Sequence, residues 1–328
     1  MDIFLAFISL AIISGTGILF GTLGEILTQK SGNINLGVEG MMFMGAVSGL
    51  AGVLLIEQAI GTSLNPIVAV LIAIVASFIA GAFGAFIYSV IVISMRAQQN
   101  VTGIALTIFG AGVGNFFGPL IGRGPFGAAV RVSREAMVGF QPINIPLLSD
   151  IPILGPLLFS HNILIYLAIA LAIAISFFLK RTSVGLNLRA VGESPATADA
   201  AGINVIRYKY LATCIGGGIC GIGGMYFSMV IFNGIWVHQA VQSWGWVAVA
   251  LVIFSTWNPI RAILGALIFG GLQVVNLYLP AGHGIPTQFF VALPFIVTIL
   301  VLILTSLRRI KEHSPPGHLG QSYFREER

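Results

Sequence analysis

The sequence consists of long apolar runs that alternate with short polar clusters. A helix needs about 20 consecutive, mostly apolar residues to cross the hydrocarbon core of a bilayer. Runs of this kind occupy residues 3–24, 37–56, 66–95, 101–121, 161–179, 209–232, 243–257, 262–280 and 286–307. The pattern predicts an all-α, polytopic membrane bundle of about nine transmembrane helices, within a range of eight to ten.

The composition supports a membrane protein. Of the 328 residues, 57% are hydrophobic and only 8% are charged, and the mean hydropathy is +0.98. A soluble domain typically has about 25% charged residues, so a soluble fold could not hide this much apolar surface. The net charge of +5 does not indicate nucleic-acid binding, because the charges lie in short clusters between uncharged runs.

The distribution of Lys and Arg predicts the orientation, because these residues are enriched in cytoplasmic loops. If the C-terminus is cytoplasmic, nine spans leave only Arg123, Arg131 and Arg134 outside, of the 16 Lys and Arg residues. We therefore expect the N-terminus outside the cell and the C-terminus inside.

The same assignment predicts the domain organisation. A transmembrane domain covers residues 1–307. It includes an external loop at 122–160 and a cytoplasmic loop at 180–208, and a charged cytoplasmic tail follows at 308–328. We expect this tail to be flexible.

Glycines recur at four-residue spacing, as at Gly110, Gly114 and Gly118, and at Gly217 and Gly221. In lipid, small residues at this spacing allow helix backbones to approach closely, since van der Waals packing replaces the hydrophobic drive. The spacing predicts a compact bundle.

The densest polar stretch between two apolar runs covers residues 24–40 and includes Asn33, Asn35 and Glu39. Irregular backbone at membrane depth is tolerated where it is buried in protein or lines a water-filled cavity. We interpret the stretch as an interruption of a helix beside a translocation pathway. The alternative is an ordinary turn whose charged side chains pair at the membrane interface.

Other polar side chains interrupt apolar runs and are further candidates for the pathway. They are Gln98, Gln99, Asn100, Asn115, Trp244, Trp246 and Asn276. The two tryptophans at a span end are also typical of an interfacial aromatic belt, and a stacking role for them stays open.

The loop at 180–208 contains a strong local helix signal. Ser194 is a good N-cap, Pro195 fits the first helical position, and Gly202 can close the helix that Ala196–Ala201 would form. Such a short helix is unstable alone, so a stable role requires docking onto something. We interpret it as a coupling helix that inserts into a groove on a cytoplasmic ATPase, and the alternative is a surface elbow. The docking segment comprises Glu193, Ser194, Pro195, Ala196, Thr197, Ala198, Asp199, Ala200, Ala201 and Gly202.

Catalytic motifs are absent from the sequence. It has no Gly-x4-Gly-Lys-Ser/Thr phosphate loop, no His-Glu-x-x-His pair and no Gly-x-Ser-x-Gly elbow. We expect no catalytic residue, no metal site and no cofactor. Any use of ATP therefore requires a partner subunit.

Several motifs occur in order along the chain: residues 32–42 (Gly-Asn-Ile-Asn-Leu-Gly-Val-Glu-Gly-Met-Met), 146–156, 188–204, 246–254 and 258–267. Together they resemble the permease subunits of bacterial ABC importers of the ribose and branched-chain amino acid class. Within that class they are most similar to the subgroup for nucleosides and simple sugars.

The resemblance implies a multi-pass protein of the bacterial cell (inner) membrane that forms half of a pathway. Its implied partners are a second permease subunit, often a paralogue, a cytoplasmic ABC ATPase and an extracytoplasmic solute-binding protein. Residues 193–202 would transmit the closure of the ATPase pair, and residues 32–40 would shape the pathway. Nucleosides are the first choice of substrate and a simple sugar is the second.

One stretch departs from the family pattern. Phe254-Ser-Thr-Trp257 stands where a glycine-rich stretch is common, and we expect Trp257 to narrow or reshape the inner mouth. Two other classes of function stay open. A secondary transporter would usually have a coupling carboxylate deep in a span, whereas Glu25, Glu39 and Glu57 lie near predicted span ends. A membrane enzyme would need a convergent catalytic set.

Overall fold

The computed structural model describes residues 2–61, 63–121, 131–143, 149, 151, 155–278, 286–308 and 315–324, and these residues are helical or irregular. The α-helices are α1 (Asp2–Lys30), α2 (Val38–Ile60), α3 (Pro66–Ser89), α4 (Gln99–Ile121), α5 (Arg134–Met137), α6 (Ile163–Arg181), α7 (Ser183–Glu193), α8 (Pro195–Ala200), α9 (Val205–Tyr226), α10 (Trp244–Phe254), α11 (Pro259–Val274) and α12 (Thr287–Arg308). Shorter π or 3-10 turns extend α3 to Ser94, α9 to Ile231 and α11 to Tyr278. The predicted all-α class is confirmed for the described residues.

Local sequence signals fix several helix starts. The side chains of Asn65, Asn162 and Asn258 accept hydrogen bonds from the first backbone N–H groups of α3, α6 and α11. Proline occupies the first position of α3 and of α11, where its missing N–H is not needed. These caps sharpen boundaries that hydropathy places only to within a few residues.

Seven helices in the described part of the chain are long and apolar enough to cross a membrane: Ile3–Lys30, Val38–Ile60, Pro66–Ser94, Gln99–Ile121, Ile163–Arg181, Val205–Ile231 and Pro259–Tyr278. Two shorter apolar helices cover Trp244–Phe254 and Gln288–Ile303. All nine predicted apolar segments therefore contain a helix, but seven rather than nine reach membrane length by this measure.

The predicted span at 243–257 is not confirmed. Helix α10 has only 11 residues, a length of about 16 Å, which is half of the hydrocarbon core. The predicted segment was longer than the helix because its last three residues, 255–257, form a turn, in which Thr256 and Trp257 have left-handed φ angles of 52° and 54°.

Helices α2 and α9 form the buried centre of the bundle, and α1 packs against both α9 and α11. Helices α3 and α4 present apolar side chains outward, such as Ile79, Phe83, Ile108 and Phe116. Such exposed apolar faces are expected where a helix meets lipid or another membrane subunit.

Glycines set the closest helix contacts, as the four-residue spacing predicts. A Cβ added to Gly45 on α2 would collide with the backbone of Gly221 on α9, and one added to Gly110 on α4 would collide with the backbone of Gly40 on α2. The prediction of a compact bundle is therefore confirmed.

A larger residue at one of these contacts should destabilise the bundle. In a Gly221→Leu variant the new side chain would meet the carbonyl of Ser77 and the backbone of Gly81 on α3. We expect a cost of at least about 3 kcal/mol, the upper part of the range for overpacking, because backbone atoms cannot move aside. Thermal unfolding in detergent measures the effect. Gly112→Leu is the control, because a Cβ at Gly112 meets nothing within 4 Å. Equal melting temperatures of the Gly221→Leu and Gly112→Leu variants would contradict the close packing at Gly221.

Residues 122–130, 144–148, 150 and 152–154 of the external loop predicted at 122–160 lie outside the described residues, and they include half of the apolar run 142–159. The described part of the tail is not free. The N–H of His318 donates to the carbonyl of Gly192 at 3.0 Å, and that of Gly320 donates to the carbonyl of Gly32 at 3.0 Å. The expectation of a flexible tail is therefore wrong for residues 315–324, which pack against the bundle.

Candidate translocation and coupling site

The chain leaves the helical conformation between α1 and α2, in the stretch predicted to be interrupted. Gly32 has a left-handed φ of 90°, which ends the helical turn after Lys30. Residues 33–35 are irregular, and the side chain of Asn35 accepts a hydrogen bond from the N–H of Gly37 at 2.9 Å just before α2 begins.

The interruption lies inside the bundle. Gly21 on α1 faces the side chain of Val38, the first residue of α2. Because Gly21 precedes the end of α1 by nine residues, α2 starts about 13 Å from that end. We call the end of the bundle that contains Lys30, Lys180, Arg189 and Arg261 the basic end. Residues 31–37 thus run from the basic end into the bundle as non-helical chain.

The irregular backbone is satisfied by side chains from neighbouring helices. The N–H of Ile34 donates to Gln99 Oε1 at 2.7 Å, and the hydroxyl of Tyr88 donates to the carbonyl of Ile34. The hydroxyl of Thr107 donates to the carbonyl of Leu36 at 2.8 Å. These bonds fulfil the condition under which non-helical backbone is stable at membrane depth.

A buried hydrogen-bonded chain connects the interruption to the turn before α11. The N–H of Asn35 donates to Glu25 Oε1 at 3.1 Å, and the side-chain amide of Gln29 donates to the same oxygen at 2.7 Å. The indole N–H of Trp257 donates to Gln29 Oε1 at 2.6 Å. Trp257 is therefore held against α1 by a specific hydrogen bond.

Helix α10 enters the bundle beside the interruption. Gly245, in its first turn, lies against the backbone of Glu39, and the hydroxyl of Thr22 on α1 donates to the carbonyl of Ala248 at 3.1 Å. Since α10 ends near Trp257 and Gln29, it covers only the half of the bundle nearer the basic end.

Glu39 lies where these two elements meet. Its side chain is 7% exposed and is directed at the backbone N–H groups of Ser243 and Trp246, at the N-terminus of α10. Its Oε2 has no hydrogen-bond partner among the described residues. A carboxylate at a helix N-terminus is stabilised by the helix dipole, so Glu39 and the start of α10 support one another.

The other predicted pathway residues take different positions. Asn33 donates to the hydroxyl of Thr213 at 3.0 Å, Asn35 shapes the turn before α2, and Gln99 holds Ile34. All three are buried, and their side chains bond to the protein. Gln98 and Asn100 beside them are exposed.

Three tryptophan and asparagine candidates lie close to α10 or to the segment that leads into it. Trp244 packs on Phe227 with ring centroids 4.7 Å apart, and Trp246 is half-buried beside Glu39. Asn115 accepts a hydrogen bond from the N–H of Gln239 at 3.1 Å. Asn276, in the 3-10 turn that extends α11, lies beyond the end of α11 away from the basic end and is not part of this group.

The docking segment forms the predicted short helix. Ser194 caps α8 by accepting from the N–H of Thr197 at 3.4 Å, Pro195 is its first residue, and Gly202 after it has a φ of 83°. Ala198 faces inward and packs with Val191 and Val205.

The outward face of α8 is small and free of bulky side chains. Ala196, Thr197, Ala200 and Ala201 are exposed, and Glu193 before the helix is exposed as well. Asp199 accepts a hydrogen bond from the hydroxyl of Tyr323 in the tail at 3.0 Å. The surface fits insertion into a groove, since small side chains allow the helix backbone to approach a partner closely.

Helix α7, which leads into the docking segment, is in direct contact with the interruption. A Cβ on Gly192 in α7 would lie 3.2 Å from the backbone nitrogen of Gly32 and would meet the carbonyl of Lys30. Tail residues bridge the same two segments, since Gly320 bonds Gly32 and His318 bonds Gly192. A movement of α7 and α8 would therefore act on the non-helical chain at 31–37.

Sequence reasoning did not connect Glu25, Gln29 and Trp257 with one another. Glu25 and Gln29 are four residues apart on an apolar helix, a spacing that places both side chains on one face. That spacing was the available signal for the pair. Nothing in the sequence indicated Trp257 as their partner, because 228 positions separate it from Gln29.

In the part of the chain that the structure describes, an all-helical bundle with seven membrane-length helices defines a polytopic membrane protein. Residues 7–302 match the family model described as the permease component of the branched-chain amino acid transport system. The chain belongs to this family of transport permeases.

Three relatives resemble the chain over nearly its full length. The guanosine ABC transporter permease protein NupQ of Bacillus subtilis is 34% identical over 87% of both chains. The nucleoside ABC transporter permease protein NupC of Lactococcus lactis is 32% identical over 89% of this chain and 90% of its own. TsgC13 of Haloferax volcanii, provisionally assigned as a glucose ABC transporter permease, is 31% identical over 95% of both chains.

Proposed function

We propose that the chain forms one half of the pathway of an ATP-driven importer for nucleosides. The observation that carries this proposal is the interruption at 31–37, which lies against Gly192 next to the exposed docking helix α8. This contact gives a partner ATPase a route to the interior of the bundle. The chain itself contains no phosphate-loop motif, so ATP hydrolysis belongs to the partner.

The nucleoside assignment is supported by two relatives of this chain, which are named for guanosine and for nucleosides. The candidate pathway residues also suit an uncharged polar solute. Trp244 and Trp246 offer aromatic faces for stacking a base, and Asn115, Gln98 and Asn100 offer neutral amides.

The position of the basic end indicates how the proposed assembly is oriented in the membrane. Its Lys and Arg side chains would face the cytoplasm of a bacterial cell membrane, as the positive-inside rule requires, and the N-terminus would lie outside. The ATPase would dock on α8, a second permease subunit would complete the pathway, and an extracytoplasmic binding protein would deliver the solute.

A simple sugar is the second candidate substrate, because TsgC13 carries a glucose assignment and is 31% identical. Uptake of radiolabelled guanosine, uridine, ribose and glucose into cells expressing the permease with its partner subunits separates the two. We expect uptake of a nucleoside that excess unlabelled nucleosides abolish and that excess glucose or ribose leaves unchanged. If only excess glucose reduces the uptake, the substrate is a sugar and not a nucleoside.

A further inference from the structure

A wide cavity opens at the basic end of the bundle and has no role in the proposed pathway. Its volume is about 720 Å³, and it lies between the end of α1, the end of α6, helix α7 and the turn before α11. Residues that characterise it are Lys30, Lys180, Arg189, Glu193, Trp257 and Arg261.

The cavity is strongly basic. Lys30, Lys180, Arg189 and Arg261 reach it from four separate segments, and Glu193 is the one carboxylate among its lining residues. Glu193 already accepts a hydrogen bond from the N–H of Gly317 at 2.9 Å and interacts with Lys30. Within the described chain, Lys180, Arg189 and Arg261 therefore keep three positive charges without an acidic partner.

A single Lys or Arg at the cytoplasmic surface of a membrane protein is ordinary, because these residues are enriched there. Convergence of several charges on one cavity is different, because like charges repel and their approach costs energy unless an anion fills the space. The N-terminus of α11 opens at the same place, with Asn258 and Pro259 in the wall. Its dipole adds to the attraction for an anion.

Apolar surfaces extend from the cavity along the membrane. On α6, Ile173 and Phe177 are exposed on the same face as Lys180, and on α11 Ile260, Leu264 and Ile268 are exposed in a row. A second, apolar cavity of about 190 Å³ lies farther along the same two helices, lined by Ile165, Ile169 and Ile263 among others. A headgroup in the basic cavity could therefore continue into acyl chains beside α6 and α11.

We propose that this cavity binds the phosphate group of an acidic phospholipid, with Lys180, Arg189 and Arg261 as its ligands. Basic pockets between membrane helices are suited to phosphate headgroups, and the adjoining apolar faces favour a lipid over a soluble phosphate. Arginine suits this role because its planar guanidinium can bind two phosphate oxygens.

The occupant would also touch a strained part of the backbone. Arg261 donates to the hydroxyl of Thr256 at 2.6 Å, and Thr256 and Trp257 both have left-handed φ angles. Non-glycine residues rarely adopt this conformation, and it persists where the surroundings fix it. A bound phosphate would hold Arg261, and with it the turn that positions Trp257 against Gln29.

The test uses the full-length permease, purified with its partner subunits in a neutral detergent. Native mass spectrometry measures the binding of phosphatidylglycerol, of zwitterionic phosphatidylcholine and of inorganic phosphate. We expect phosphatidylglycerol to bind more tightly than phosphatidylcholine. Each of the changes Arg189→Gln and Arg261→Gln should weaken it about fivefold, and the double variant about twenty-five-fold.

Arg181→Gln is the matched control, because Arg181 is exposed beside Lys180 but does not line the cavity. It should bind phosphatidylglycerol as the wild type does. Arg261 also donates a hydrogen bond to Thr256 in the turn before α11. If the Arg261→Gln variant does not fold for this reason, the comparison of Arg189→Gln with Arg181→Gln is the test.

Two outcomes would overturn the proposal. If inorganic phosphate binds as tightly as phosphatidylglycerol, with the same loss in Arg189→Gln, the site recognises free phosphate and has no preference for a lipid. If Arg189→Gln and Arg181→Gln bind phosphatidylglycerol equally, the cavity is not an anion site.

Discussion

A permease that carries Ala200→Arg is expected to insert and assemble its helices normally but to lose ATP-dependent uptake. Ala200 lies on the exposed face of α8, together with Ala196, Thr197 and Ala201. A long charged side chain there would keep α8 out of a groove on the ATPase. Residues at the centre of an interface contribute about 2 kcal/mol or more, so binding should weaken about thirtyfold.

Ala200→Ser is the matched control, because it keeps the side chain small, and it should transport as the wild type does. Co-purification of the ATPase with each variant, measured beside nucleoside uptake, shows whether the defect lies in docking. Full uptake and normal co-purification in Ala200→Arg would show that α8 does not dock onto the ATPase. Ala198→Arg is a poorer test, since Ala198 is 3% exposed and packs on Val191 and Val205.

A second large effect is expected for Glu25→Leu. Glu25 is fully buried, and its Oε1 accepts hydrogen bonds from the amide of Gln29 and from the N–H of Asn35. Leucine would leave both donors unpaired inside the bundle, at a cost of about 1–3 kcal/mol each. We expect a free energy of unfolding lower by roughly 2–6 kcal/mol and little uptake, because the turn at 33–37 loses its anchor.

Glu25→Gln is the control for this prediction, because its carbonyl oxygen can accept both hydrogen bonds at nearly the same volume. It should retain most of the stability and most of the uptake. Thermal unfolding in detergent and uptake in cells measure the two properties. A Glu25→Leu protein as stable as the wild type would contradict the role of Glu25 in holding the interruption.

The positions of the helices were predictable because their causes are local. An apolar run of membrane length leaves the backbone no alternative to helical hydrogen bonding. The short helix α8 was predictable for a different local reason: Ser194, Pro195 and Gly202 supply a cap, a start and a stop within nine residues.

The missed features depend on contacts between distant parts of the chain. The predicted segment 243–257 extended past the 11 residues of α10 because Ser255, Thr256 and Trp257 are uncharged, whereas these three residues form a turn. The tail looked free because its sequence is polar, whereas Gly320 and His318 find backbone partners on Gly32 and Gly192.

The candidate site was predicted in outline but not in detail. Asn33 and Asn35 do lie in a helix interruption inside the bundle, since glycine and asparagine locally disfavour the helix, and Glu39 follows it in the first turn of α2. Composition could not separate the residues that hold this backbone, such as Asn35 and Gln99, from exposed ones such as Gln98. Trp257 was expected to reshape an inner mouth; it is 9% exposed and bonds Gln29.

The central claim is that transport through this subunit is driven by ATP in a partner subunit. The most direct measurement is nucleoside uptake into proteoliposomes that contain the permease pair, the ATPase and the binding protein, with ATP or a non-hydrolysable analogue enclosed. We predict accumulation that requires hydrolysable ATP and persists when proton and sodium gradients are absent. Accumulation driven by an ion gradient without ATP would contradict the account and identify a secondary transporter.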